Sequence, residues 1–209
     1  MNLDLNDKVV CITGASGGIG LALVRAFLEE GAIVCAMYHR NLSALEALCS
    51  ELPTAQQSHL NPYRLDLQDN NSHKSAIAAI CSAHQRIDIL VNCAGSALEK
   101  PFLLLTPEEI AQQVTTNFSQ QALFTQQVAK IMLAQRKGSI VNVSSLLAKR
   151  LGRGVAVYAA AKAATKDSFY DIDADKFVRP AIEDAQRIIT EDGGFGGALE
   201  ELPASKIAE

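Results

Sequence analysis

The chain has 209 residues, a length that fits one domain with a sizeable core. Hydrophobic residues make up 48% and charged residues 20%, an ordinary globular balance, and the formal net charge is −4 with no run of Lys or Arg. These values argue against nucleic acid or an anionic membrane as a main partner, and no apolar stretch reaches the ~18–20 residues of a membrane span.

Met1 to Asp7 is polar and acidic, unlike a secretory signal or an Arg-rich transit peptide, so a cytoplasmic location is expected. Lys8–Gly14 then reads as a first strand. Ile19–Glu30 follows as a helix that stops at Gly31, a good C-cap residue. Ile33–Tyr38 reads as a strand and Leu42–Leu52 as a helix ended by Pro53. His59–Leu67 contains a third, less clear strand, and Ser72–His84 has helical periodicity. Ile87–Cys93 is a near-continuous apolar strand. Thr106 is the expected N-cap of a long helix, with Pro107 at N1 and Glu109 at N3 completing a capping box. That helix runs to about Gln135; Ser139–Ser145 reads as a fifth strand, and another helix begins near Val155. Near-continuous apolar strands joined by helices predict a parallel sheet buried on both faces, a doubly wound α/β fold of Rossmann type.

The character changes after residue 164. Residues 165–209 carry 11 acidic and 5 basic side chains, and Gly193, Gly194, Gly196 and Gly197 make a glycine-rich break. Two parts are therefore expected: a Rossmann-type domain over 1–164 and an acidic segment over 165–209. Pro180–Ile189 has helical spacing, while Arg187–Thr190 fits a short strand equally well.

Five cysteines are present, and Cys11, Cys35 and Cys93 sit in apolar runs. With an odd count and no CxxC pair, free thiols in a reducing compartment are the simplest reading, and no Cys/His cluster has metal-ligand spacing. The four scattered histidines read as surface or packing residues.

The strongest chemical signal is Thr13–Gly20, TGASGGIG, after an apolar strand and before a helix. Gly14 allows a tight turn, Gly18 lets backbone approach a pyrophosphate, and Gly20 lets helix and strand pack closely. The helix N-terminus offers unpaired N–H groups to phosphates. Three further motifs follow in order: Asn92-Cys93-Ala94-Gly95 after the fourth strand, Asn117 in the long helix, and Ser145 thirteen residues before Tyr158-Ala159-Ala160-Ala161-Lys162. Over about residues 5–164 the chain resembles the short-chain dehydrogenase/reductase family, in its 3-oxoacyl-thioester and carbonyl reductase branch.

That resemblance implies a hydride-transferring oxidoreductase acting on a small-molecule carbonyl or alcohol. Thr13, Gly14, Ser16, Gly18, Ile19 and Gly20 would form the cofactor turn, with Ala94 and Gly95 passing close to the cofactor. Asp66 is similar to the family's adenine-contacting Asp, and Asn92 to its prop for the central sheet; on composition alone both are ordinary turn residues. The second strand ends in Met37-Tyr38-His39-Arg40-Asn41, with no carboxylate to bind a ribose 2′-OH. Arg40 can pair with a 2′-phosphate, so NADP(H) is favoured over NAD(H), although Gly17 stands where many NADP-preferring members carry a basic residue.

Tyr158 and Lys162 are i and i+4 on a predicted helix and share one face. A tyrosine acting near neutral pH asks for about 4 kcal/mol of stabilisation of its phenolate, which an ammonium in a dry site can supply. By resemblance, Lys162 also holds the nicotinamide ribose, Ser145 orients the substrate oxygen, and Asn117 holds a water that links Lys162 to bulk. Read without the family, Ser145 is a strand-end turn cap and Asn117 a polar residue on an exposed helix face. Ser144 competes with Ser145, and strand alternation lets one of the two serve. Pro101–Leu105 is apolar and reads as substrate contact or, more commonly, core.

The family continues with a sixth strand, a Pro-Gly turn, a lid and a seventh strand; none is recognisable here, and no Pro-Gly dipeptide occurs. The expectation is a sheet without its usual last strands, an exposed apolar edge, and a homo-oligomer that covers it. An alternative in another class is a cofactor-binding protein with an impaired substrate site.

Overall fold

The computed structural model describes residues 4–150 and 152–167. In chain order these build β1 (Val9–Thr13), α1 (Gly18–Glu29), β2 (Ile33–Tyr38), α2 (Ser43–Glu51), α3 (Thr54–Gln57), β3 (Leu60–Arg64), α4 (Asn70–His84) and β4 (Ile89–Asn92). After a 3-10 turn at Phe102–Leu104 come α5 (Pro107–Val114), a π-helical turn at Thr115–Ser119, α6 (Gln120–Gln135), β5 (Ser139–Asn142), a 3-10 turn at Leu146–Ala148 and α7 (Ala156–Asp167).

The five strands form one parallel sheet in the order β3-β2-β1-β4-β5. Strand alternation divides the core in two. Val10 and Ile12 of β1, Val34 and Ala36 of β2, and Ile89 and Val91 of β4 face α1 and α2, where Val24, Phe27, Leu28 and Leu45 are buried. Val9, Cys11, Cys35, Met37 and Leu90 face α4 and α6, against Ile80, Phe124, Val128 and Met132. Both faces are covered, which is why the strands read as continuous apolar runs. The sheet changes direction between β1 and β4, and in such folds ligands bind at the carboxyl ends of the strands beside that point.

Local chemistry sets the helix ends. Gly31 has φ +79°, Gly31 N donates to Leu28 O, and Ala32 N donates to Phe27 O at 3.0 Å, a Schellman closure of α1. At α5 the expected capping box is present: Thr106 Oγ1 accepts from Glu109 N, and Glu109 Oε2 accepts from Thr106 N.

Three expectations need correction. The fifth strand is shorter than read, ending at Asn142, so Ser144 and Ser145 lie beyond the ladder. The long helix is not continuous, because a π turn interrupts it. Pro101–Leu105 is not core: Phe102 is 58% and Leu103 93% exposed. His73, read as a surface or packing residue, is fully buried against Phe124 and packs there. Cys11, Cys35, Cys49, Cys81 and Cys93 are all free thiols. Among the described residues no group of His, Cys, Asp and Glu is placed to hold a metal, and no helix is long and apolar enough to cross a membrane. Apart from its first three residues, the expected acidic segment 165–209 lies outside the described residues, as do the reading at 180–190 and any strand after α7.

Candidate active site

A crevice of about 820 Å³ opens at the carboxyl ends of β1 to β4. Of the expected cofactor residues, Gly14, Ser16, Gly18, Ile19, Gly20, Arg40, Asp66, Ala94 and Gly95 line it. Thr13, Asn92, Tyr158 and Lys162 do not line it; Thr13 and Asn92 are buried behind it and hold its walls. Thr13 Oγ1 accepts from Cys93 N and Ala94 N, each at 3.1 Å, and so ties the β4 loop to the glycine turn. Asn92 Nδ2 donates to Asn142 Oδ1 and Thr125 Oγ1, each at 2.8 Å, and so links β4 to β5 and α6.

The glycines divide the work as their positions require. Gly14 has φ +67°, and a Cβ there would stand 2.7 Å from Ala94 Cα. A Cβ on Gly20 would meet Gly14 O at 2.2 Å, so helix and turn touch because that residue has no side chain. Gly18 faces open space. No side chain caps the N-terminus of α1, whose N-cap is Gly17. The first-turn amides are therefore left for an anion.

A second group of residues lies behind Gly95. A Cβ on Gly95 would be 2.9 Å from Asn117 Oδ1 and 3.2 Å from Lys162 Nζ, so this glycine is the partition between the crevice and the two polar side chains. Lys162 is 3% exposed, and its Nζ donates to Val143 O at 3.0 Å. Burial holds its pKa below the ordinary lysine value, with Cys93 pulling weakly the other way. The Cys93 thiol is itself pushed up to about 11 by burial, so at neutral pH it is no counter-ion.

Tyr158 stands one turn before Lys162 on α7, half-buried, and its phenol makes no hydrogen bond among the described residues. Ser144 Oγ donates to Lys162 O at 2.8 Å, which fastens α7 to the end of β5. Ser145 Oγ accepts from Leu147 N at 3.2 Å and caps the 3-10 turn that packs on α7. Its own O–H has no acceptor among the described residues.

Asn117 is fully buried in the π turn, which overturns the exposed-face reading. Its Oδ1 accepts from Ser96 N, and its Nδ2 donates to Ser96 O and Gln113 O, at 2.9–3.0 Å. Its carbonyl accepts from Thr165 Oγ1 at 2.8 Å. Three side chains here had no individual signal in the sequence. Thr165 joins α7 to the π turn, Gln121 Nε2 donates to Ala94 O at 2.7 Å, and His39 Nε2 lies 3.4 Å from Asp66 Oδ2.

Comparison with known proteins agrees with this geometry. The chain is 34% identical to 3-oxoacyl-acyl-carrier-protein reductase FabG of Chlamydia pneumoniae, over 78% of this chain and 65% of that protein. It is 35% identical to D-erythrulose reductase of Gallus gallus, over 78% of this chain and 63% of that protein. It thus spans about two thirds of the length of these relatives. A crystal structure of a metagenomic short-chain oxidoreductase in complex with NADP superposes with a TM-score of 0.68 at 30% identity, covering 76% of this chain and 71% of that one. The family profile described as short chain dehydrogenase matches from residue 8, at the first strand, to residue 175. The chain belongs to the short-chain dehydrogenase family.

Proposed function

We propose that this protein moves a hydride between NADP(H) and a carbonyl or alcohol substrate, with Tyr158 exchanging the proton at the substrate oxygen. The reading assigns residues 1–164 to the cofactor-binding catalytic domain and 165–209 to a separate acidic segment, in a cytoplasmic homo-oligomer. One observation carries it: a lysine ammonium 3% exposed, without a carboxylate partner among the described residues, one helical turn from a phenol and against the crevice wall at Gly95. Burying an ammonium without a counter-ion is costly, and such sites are commonly functional.

The crevice fits a dinucleotide on three counts. The turn at Gly14–Gly20 carries no Cβ at Gly14, Gly17, Gly18 and Gly20, the first turn of α1 has no side-chain cap, and Arg40 lines the crevice with no guanidinium partner among the described residues. When bound, the nicotinamide supplies or accepts the hydride. Every other task falls to the chain. Tyr158, one turn from the Lys162 ammonium, protonates the developing alkoxide in reduction and recovers the proton in oxidation. Lys162 would also hold the nicotinamide ribose. Ser145, whose O–H has no acceptor among the described residues, donates to the substrate oxygen, whereas the Ser144 hydroxyl is spent on Lys162 O. Asn117 has its amide fully engaged, so a relay water belongs at its backbone carbonyl, beside Thr165. Two relatives that are named reductases support the carbonyl direction. The relative named NADP-dependent 3-hydroxy acid dehydrogenase, from Schizosaccharomyces pombe, supports the cofactor.

The test is titration of the purified chain with NADPH and NADH, followed by a carbonyl panel read by loss of cofactor absorbance. Tyr158→Phe is expected to lower turnover by about 10²–10⁴-fold and to leave cofactor affinity within about twofold. Firm binding with no turnover on any carbonyl would instead establish a binding protein.

A further inference from the structure

Ala94 stands where the β4 loop passes from the sheet to the crevice wall, and both polar groups of its backbone are held. Ala94 N donates to Thr13 Oγ1 at 3.1 Å, and Ala94 O accepts from Gln121 Nε2 at 2.7 Å. Gln121 lies in the first turn of α6 and is fully buried; it does not itself line the crevice. Its Nε2 also donates to Thr116 O at 3.2 Å, so two carbonyls fix which end of the amide carries the N–H groups. Its Oε1 is buried without a donor among the described residues, a cost to stability that an apolar side chain would not incur. The next residue, Gly95, lines the crevice, and its N–H finds no acceptor among the described residues. The peptide between Ala94 and Gly95 is trans and planar, so its C=O and N–H point in opposite directions. With Ala94 O turned to Gln121, the Gly95 N–H is turned away from it.

We propose that Gln121 is a positioning residue for the cofactor: its amide holds the Ala94–Gly95 peptide in the rotation that aims the Gly95 N–H at an oxygen of the bound dinucleotide. The inference rests on the dinucleotide reading given above and deepens it. Contact with Gly14 and the bond to Thr13 fix the place of Ala94, and Gln121 fixes the rotation of the peptide that follows. Asn117 Oδ1 holds the next peptide through Ser96 N, so two buried amides set successive peptides of one wall. A loop peptide free to rotate spreads its N–H over several directions, whereas one clamped at its carbonyl keeps the donor aimed before the ligand arrives. Gln121 therefore acts through the backbone, without touching the cofactor.

Ala94-Gly95 is the single Ala-Gly step in the sequence. The full chain labelled with ¹³C at alanine carbonyls and ¹⁵N at glycine therefore gives one signal in a carbonyl-to-nitrogen correlation spectrum, from this peptide alone. Titrating wild type with NADP⁺ is expected to move its amide proton downfield as the N–H gains an acceptor. In Gln121→Leu the carbonyl signal of the free chain should shift, the downfield movement on adding NADP⁺ should shrink, and NADP⁺ affinity should fall about three- to tenfold. The melting temperature should stay close to that of wild type, because the unpaired Oε1 leaves with the amide. A wild-type amide proton that stays in place at saturating NADP⁺ overturns the inference, and that measurement needs no variant. So does the same movement in both proteins, or a Gln121→Leu chain that melts lower and keeps its affinity, which is what a purely structural amide gives. Failure of wild type to bind NADP⁺ or NAD⁺ sinks the dinucleotide reading and this inference with it. Binding with the amide proton unmoved sinks this inference and leaves that reading standing.

Discussion

Lys162 combines burial, charge and a single backbone acceptor, Val143 O. Among the described residues its surroundings supply no negative charge, since the nearby Cys93 thiol stays protonated at neutral pH. The arrangement should therefore cost stability. Burial lowers the folded-state pKa below that of the unfolded chain, so the folded protein binds fewer protons between the two values. The penalty is full below the folded value and fades as pH climbs towards the ordinary lysine value near ~10.5. Lys162→Met is accordingly expected to raise the unfolding free energy by about 1 kcal/mol near neutral pH while abolishing turnover. Urea melts of both proteins near neutral pH and in alkali measure it: the difference should shrink in alkali, and a destabilised variant at neutral pH would show that the ammonium is instead held favourably.

At the scale of elements, the decisive feature is the π turn between α5 and α6. One extra residue in the turn leaves Asn117 facing inward, where it bonds both backbone groups of Ser96 and accepts from Thr165 on α7. The β4 loop, the long helix and the helix of Tyr158 and Lys162 are joined at this one residue. Asn117→Ala strands the Ser96 N–H and C=O, and the expected loss is about 2–3 kcal/mol of stability with weaker NADPH binding. Chemical denaturation and a cofactor titration check the two effects, and a loss below about 0.5 kcal/mol would mean that the loop is held by other contacts.

Across the whole molecule, two cores flank one sheet, and the His73 ring is buried beside the second, against Phe124. Its ring packs edge-on to Phe124 at 5.3 Å, with Nε2 2.8 Å from Leu67 O. Burial lowers its pKa, against a smaller upward pull from Leu67 O, Asp69 and Asp66. The unfolded chain then takes up a proton before the folded one does, so stability is lost as pH falls through about 6.5 towards the folded value. His73→Gln cannot take that proton. Its unfolding free energy should fall by about 1 kcal/mol less than wild type between roughly pH 7 and 5, as paired denaturation curves would show. Parallel curves would assign the acid sensitivity to other groups.

The sequence by itself determined the parts. Period 2 and period 3.6 are local signals, so Ile33–Tyr38 was legible to the residue, and the Thr106–Glu109 cap marked the start of its helix. The glycine turn and the ordered motifs after it pointed to the family. The tertiary structure alone decided where elements end and what they meet. β5 stops at Asn142 because its neighbour β4 stops at Asn92, and a ladder cannot outlast its partner. The π turn leaves no mark in side-chain periodicity, so the burial of Asn117 was hidden, and Leu103 is exposed because nothing among the described residues packs over its turn. His39 and Asp66 lie on different strand ends, and no local pattern pairs them; the β2–β3 register does. Propensity and periodicity are properties of neighbours in sequence, whereas strand ends, burial and charge pairing are properties of neighbours in space.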